Sequence, residues 1–517
     1  MFDYIIKNGT IIDGSGDKGY LASVGIKDDS IEIIPQGSEP EAKNIIDATG
    51  LVISPGFIDM HSHCDLYLFH DPYNEPKIRQ GVTTEVIGQD GLSYAPASTK
   101  VISELIIYLQ SVNGDIPGEI TWNSVGEYLD SLDGNIGCNI AYLVPHSAVR
   151  TEVMGWTNKL PNESAIKSMQ QLIESGMKDG AFGFSTGLTY VPNVYSDTNE
   201  LIELAKAVKP YGGMYVTHCR YGLGDRLLDP FKEAITIGVE SGVPVQISHY
   251  HSPITGMGDQ MVTLIDQGLE QGVDLTFDQY PYPAASTLLA SLVPPWVHEG
   301  GPRKLLENLQ SGEVRESIKE DVYPQWGGSL EDYYFSHIGS QVNQEWVGRS
   351  FMDLVRHKNM SVVDVMSELL VEENLNVGFV ARTGNSDNIR SIIQHPHQMV
   401  GSDGIMVGEN PNPRTYGTFP YILGQLVREE GLLTLESAIH KMTGVPSQRL
   451  GLNDRGLIKN SYKADLVIFN PDKVGTQATF ESPKAFAEGI NYVMVNGKIV
   501  LSEGVLTREL SGRALRK

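Results

Sequence analysis

At 517 residues the chain exceeds the size at which one hydrophobic core usually stops growing, so a large domain with a smaller companion is expected. Its 39 basic residues stand against 64 acidic ones, a formal net charge of -25 that repels nucleic acid and anionic membrane surfaces and argues against both as partners. Three scattered cysteines, Cys64, Cys138 and Cys219, are too few for a disulfide framework; with no signal-peptide pattern and no apolar run of about 18 residues, the expectation is a soluble, cytoplasmic protein.

In chain order, the first segments (Tyr4 to Lys7, Ser23 to Lys27, Ser30 to Ile34) are short and broken by Gly and Asp, the texture of small antiparallel strands. The end of the chain reads the same way in Ala464 to Phe469 and Val493 to Val500. Residues 1–54 and 448–517 are therefore expected to build one β-sandwich together. Between them, over residues 55–447, strand-like runs alternate with helical stretches, the signature of βα units and a parallel sheet. Eight such runs are legible: Val52 to His63, Thr83 to Asp90, Cys138 to His146, Ala181 to Leu188, Met214 to Arg220, Pro244 to His251, Asp274 to Tyr282 and Gln398 to Asp403. This is the α/β class, and the count predicts a (β/α)8 barrel of the TIM type. The long gap between the seventh and eighth runs predicts a helical insertion at about 289–375.

Chemistry collects at the carboxyl ends of these runs, where such barrels place their active sites. The first ends in His61-Ser62-His63, and side chains two apart on a strand share a face, so both imidazoles can reach one ion. Asp90, His218, His249 and Asp403 end four others, and imidazole with carboxylate suits zinc and similar divalent ions. Cys64 and Cys219, each beside a histidine, fall on the opposite face and are expected to pack in the core. His146, ending the third run, is placed to polarise a scissile carbonyl, and His251 shares its alternation with His249.

A terminal β-sandwich around a barrel opening with Pro55-Gly56-Phe57-Ile58-Asp59-Met60-His61-Ser62-His63 resembles the amidohydrolase superfamily. Within it the chain is most similar to the D-aminoacylases, the N-acyl-D-amino-acid deacylases. The matching segments include Gly183 to Tyr190, Tyr215 to His218, Ile247 to His249, Tyr280-Pro281-Tyr282, Val400 to Gly404 and Pro413 to Pro420. The resemblance implies that His218 and His249 hold a tightly bound zinc, with His61 and His63 near a second, weaker position, and that Asp403 is the catalytic acid/base. It also implies that Arg414, Tyr280 and Ser286 grip a substrate α-carboxylate; Tyr190 is a further candidate for substrate contact, and His251, by its alternation with His249 alone, is either a substrate contact or a structural imidazole.

Two departures stand out. Where the family usually shows Gly-Asn-Cys-Gly, this chain has Gly88-Gln89-Asp90-Gly91, so a carboxylate replaces a thiolate and metal preference shifts toward Mn or Co. Some relatives carry Ser-His-x-Lys where this chain has Ser248-His249-Tyr250-His251, which argues against acidic substrate side chains. The expected activity is hydrolysis of N-acyl-D-amino acids, small molecules, by a metal-activated water; the D preference follows from the resemblance alone, and the oligomeric state stays open. The alternatives are a cyclic amidase of the dihydroorotase or hydantoinase kind, which often carries a bridging lysine that Ala181 to Leu188 lacks, and a non-catalytic scaffold.

Overall fold

The computed structural model describes every residue except 36, 39, 222–225 and 323–329. Its centre is an eight-stranded sheet in which every pairing is parallel. The strands in chain order are β1 (Phe57–Asp59), β2 (Val82–Ile87), β3 (Asn139–Pro145), β4 (Gly183–Gly187), β5 (Met214–His218), β6 (Val245–Ile247), β7 (Leu275–Gln279) and β8 (Gln398–Val400). Each pairs with its sequence neighbours, as (β/α)8 topology requires. All eight are buried along their whole length, as expected of parallel strands covered on both faces.

The helices outside the barrel form for local reasons. Glu163–Lys178 starts at Asn162, whose side chain accepts the Ala165 N–H at 2.9 Å, and buries Met169, Ile173 and Met177 at four-residue spacing against the barrel core. Inside the barrel, Ile58, Met60, Val86, Ala141, Leu143, Met214, Val216 and Met399 form one buried cluster. Tyr142, Val144, Phe184, Tyr215, Leu275 and Phe277 belong instead to the core between strands and helices. The two sets alternate along β2, β3 and β5, so one face of each strand lines the barrel interior and the other meets the helices.

The seam between β1 and β8 is closed just past the strands. The Met60 N–H donates to Val400 O at 3.1 Å and the Asp403 N–H to His61 O at 2.8 Å. Beyond it Ser62–His63 runs parallel to Gly404–Ile405. Gly401 is needed at this crossing, because a Cβ there would stand 2.7 Å from the His61 Cβ and 2.8 Å from the Asp278 Oδ1.

Both ends of the chain share a seven-stranded sheet, in which Val52–Pro55 pairs antiparallel with Leu466–Phe469. A four-stranded sheet formed by residues 2–47 packs with it around a common cluster of Ile6, Ile11, Val24, Ile26, Leu466 and Ile468. The first strand-like run of the sequence thus divides at Gly56, with Val52–Pro55 in this sheet and Phe57–Asp59 in the barrel.

Between β7 and β8 stand the helices Pro302–Gln310, Gly312–Val322, Phe351–Lys358 and Val362–Glu372. Part of the stretch expected to be a helical insertion, 323–329, lies outside the described residues. The structure adds a three-stranded antiparallel sheet that sequence reading missed: Ala285–Leu288, Val377–Ala381 and Tyr333–Ile338. No described helix is long and apolar enough to cross a membrane.

Candidate metal centre

Six side chains converge at the carboxyl ends of the strands. His61, His63, Asp90 and Asp403 offer ligand atoms within 4.8 Å of one another, and Asp90, His218 and His249 form a second such set sharing the same carboxylate. Asp90 Oδ1 lies 3.5 Å from His61 Nε2, and its Oδ2 lies 3.7 Å from His63 Nε2, 3.4 Å from His218 Nδ1 and 3.6 Å from His249 Nε2. Asp403 Oδ1 is 3.3 Å from His63 Nε2 and 3.7 Å from His61 Nε2. Two ligands each about 2.0–2.1 Å from a tetrahedral ion stand about 3.3 Å apart, so these separations suit ligands facing a common cation.

The donor set also fits a cation by its unmet needs. His61 Nε2 and Asp90 Oδ1 are buried without a hydrogen-bond partner among the described residues, an arrangement that costs free energy unless something positive satisfies them. Burial disfavours charge on His61, Asp90 and Asp403, yet the opposite charges facing each outweigh it, whereas at His218 burial prevails and lowers the imidazole. His61 is raised well above its ordinary pKa because Asp90, Asp278 and Asp403 outweigh the burial penalty. Asp90 is likewise pushed up by burial but held well below the carboxylate range by His61, His218 and His249. Asp403 is pushed up by burial too and lowered overall, chiefly by Arg414 and His61.

The backbone aims these groups by turning sharply at the strand ends. Asp90, His249 and Asp403 have φ of 55°, 35° and 47°, the left-handed region that non-glycine residues seldom enter and that clusters at functional sites. The turn carrying Asp90 is tied down by Ser185, whose hydroxyl accepts the Gly91 N–H at 3.1 Å and donates to Gly88 O, and by Ser147, which donates to Gly91 O. His218 follows Met214 and Val216 inward by simple alternation. His249 does not: Val245 and Ile247 face outward, and the turn at His249 swings its ring to within 2.8 Å of His218.

The residues expected to bind substrate differ in where they point. Arg414 is fully buried, its Nη2 2.9 Å from Asp403 Oδ2 and its guanidinium 4.3 Å above the Tyr280 ring. The Tyr280 hydroxyl lies 3.3 Å from His251 Nε2, and burial, with His249 and Arg414 nearby, lowers His251 to about 3, leaving it neutral. Tyr190 packs on His218 with ring centroids 4.9 Å apart, its hydroxyl 2.9 Å from Thr287 Oγ1. Ser286 faces otherwise than expected: its hydroxyl donates to Phe379 O at 2.8 Å, and it meets Arg414 through its carbonyl.

His146 requires a correction. It continues the outward alternation of Tyr142 and Val144, stands edge-on to Phe184, and places Nε2 3.1 Å from Glu200 Oε1, which also takes Arg150 Nε at 3.0 Å. A buried ion network behind the barrel wall holds it, and it is not among the residues of the His/Asp cluster. Conversely, sequence reading passed over Asp278, whose Oδ1 lies 3.3 Å from His61 Nδ1, and Thr189, whose Oγ1 lies 2.8 Å from His218 Nε2. A carboxylate inside a wholly buried strand was the available signal for Asp278. The cysteines are buried and free, with Cys64 and Cys219 in the main core as expected.

Comparison with known proteins agrees with this geometry. A family model described as "Amidohydrolase family" matches residues 44–238 and 345–501. The D-aminoacylase of Alcaligenes xylosoxydans xylosoxydans is 34% identical over 523 aligned residues, covering 100% of this chain and 98% of that protein. A solved D-aminoacylase, described with a binuclear metal center, matches at a TM-score of 0.85 and 32% identity, with 100% of each chain covered. The N-acyl-D-glutamate deacylase of Bordetella bronchiseptica, solved with zinc and a phosphonate mimic of the tetrahedral intermediate, matches at 0.83 and 29% identity, again over 100% of each chain. With its barrel, its clustered histidines and these full-length relatives, the chain belongs to the amidohydrolase family.

Proposed function

We propose that this protein is a metal-dependent hydrolase that cleaves the amide bond of N-acyl-D-amino acids, releasing a carboxylate and a free D-amino acid. The observation that carries the reading is the placement of a buried arginine, Arg414, directly against Asp403 at the edge of the His/Asp cluster. That juxtaposition puts a carboxylate-binding group beside a proton-transfer group. The class of substrate and its D configuration are carried over from the deacylase relatives.

His61, His63, Asp90, His218, His249 and Asp403 would hold one or two zinc ions; manganese or cobalt is also compatible with Asp90. When bound, such an ion would lower the pKa of a coordinated water to about 7 and polarise the acyl oxygen. Asp403, ionised beside Arg414, accepts the proton of the attacking water and returns it to the departing amine. Arg414 serves the substrate's α-carboxylate through its planar donors, of which Nε has no hydrogen-bond partner among the described residues. The Tyr280 hydroxyl is near enough to add a second hydrogen bond. Neutral His251 offers no cation to an acidic side chain, which favours uncharged amino acids over aspartate and glutamate derivatives.

The test is amino-acid release from N-acetyl-D- and N-acetyl-L-amino acids, with hydantoins and dihydroorotate alongside. Release from D substrates alone is expected. Turnover confined to the cyclic amides would replace this reading with that of a cyclic amidase.

A further inference from the structure

Asp278 lies one residue before the carboxyl end of its strand, against His61 and the main chain of His249, and has no part in the chemistry above. It lies on β7, and Leu275 and Phe277 face the outer core, so alternation turns Thr276, Asp278 and Tyr280 inward. The carboxylate is fully buried. Its Oδ1 is 3.3 Å from Nδ1 of His61 and accepts the backbone N–H of His249 at 2.8 Å; its Oδ2 accepts from Gln246 Nε2 at 2.9 Å. His61 Nδ1 makes no hydrogen bond to any described group, so Asp278 is the acceptor within its reach. One carboxylate thus touches a member of each ligand set, the ring of His61 from the first and the main chain of His249 from the second.

We infer that Asp278 is a positioning residue for the metal centre, which keeps the proton of His61 on Nδ1 so that Nε2 is the ligating atom, and which locks the turn that aims His249. The inference rests on the metal-centre reading above. Histidine ligands ordinarily give their second N–H to a carboxylate, carbonyl or water, and removing such a partner typically lowers metal affinity 10- to 100-fold. A neutral imidazole carries one N–H, and the proton held at Nδ1 leaves a lone pair at Nε2, the atom that faces Asp90 and Asp403.

Asp278→Asn is the decisive variant. The amide oxygen can still accept the His249 N–H, and Gln246, whose Oε1 is buried and has no partner among the described residues, can turn its own amide to meet the new NH2. The His61 contact alone then loses its charge. Zinc titration of the full-length metal-free protein should show binding at the His61/His63 position weakened roughly 10- to 100-fold, with binding at the His218/His249 position kept within a few-fold. In a His61→Ala background Asp278→Asn should weaken zinc no further. Equal zinc affinities in the variant and the wild type overturn the role of Asp278, as does an equal loss at both positions. Wild-type protein that takes up no zinc overturns the metal centre itself. Should the variant fail to fold, a crystal structure of the zinc-loaded wild type decides: Nε2 on the ion with Nδ1 toward Asp278 is expected, and a ring turned to ligate through Nδ1 overturns the inference.

Discussion

Arg414 and Asp403 meet at 2.9 Å with the guanidinium wholly buried, so the arginine proposed for substrate recognition also touches the proposed acid/base. Arg414→Ala should therefore damage more than binding. Breaking a buried charged pair costs about 3–5 kcal/mol; felt at the transition state, that lowers kcat/KM roughly 10²- to 5 × 10³-fold, with kcat falling alongside the rise in KM. Steady-state kinetics on an N-acetyl-D-amino acid separate the two; a change confined to KM would show that the contact with Asp403 is without catalytic weight.

Asp90 carries the second prediction. It faces three imidazole nitrogens through Oδ2 and one through Oδ1, the bridging place of the whole cluster. Asp90→Cys substitutes a softer thiolate and should shift the ratio of zinc to manganese affinity toward zinc by roughly tenfold or more. Competition titrations with the two ions measure the ratio, and an unchanged value would mean that Asp90 does not ligate.

His146→Gln should spare catalysis. The imidazole contacts Glu200, which keeps Arg150, and removing one hydrogen bond to a buried charge costs about 1–3 kcal/mol of stability. Urea unfolding should register that loss while kcat/KM stays within roughly threefold, because the side chain is out of reach of any transferred proton. A collapse of kcat with normal stability would restore His146 to the reaction.

Acid sensitivity should trace in part to His298. It is buried edge-on against Tyr108, and Nε2 lies 3.1 Å from Val293 O, while burial lowers the group to about 4. The unfolded chain binds this proton below about pH 6.5 and the folded chain does not. The contribution to stability is therefore intact above pH 6.5 and is lost as pH falls toward 4, at up to about 1.4 kcal/mol per pH unit. His298→Gln should flatten the slope of unfolding free energy between pH 6 and 5 by close to one proton; parallel slopes would assign the sensitivity elsewhere.

Much of this architecture was legible because two periodicities do not interfere: the alternation of a buried strand and the recurrence of strand ends. His61, His63, His218 and Asp403 all stand at such ends, and the structure collects them. The same rule misled at His146, where position at a strand end was weighed without the face: Tyr142 and Val144 already pointed outward. His249 was found although alternation alone would have turned it outward; the left-handed turn that rescues it leaves no mark in the sequence. Asp278 was missed because its partners, His61 and Gln246, are distant in the chain. The sheet of Ala285–Leu288, Tyr333–Ile338 and Val377–Ala381 escaped for a like reason, its strands separated by helices that carry the stronger periodic signal.

The meeting of β1 and β8 has a thermodynamic consequence. Between the two strands themselves little is bonded, and the join depends on residues that flank the proposed ligands, with His61 and His63 on one side and Asp403 on the other. An ion held from both sides would fasten the barrel into a ring, and its binding energy would then become part of the cooperativity of unfolding. Stripping the protein with a chelator should loosen that join first, and the amide hydrogens of Met60 and Asp403 should then exchange ahead of those in β4 and β5. Readdition of zinc should bring the four back into step.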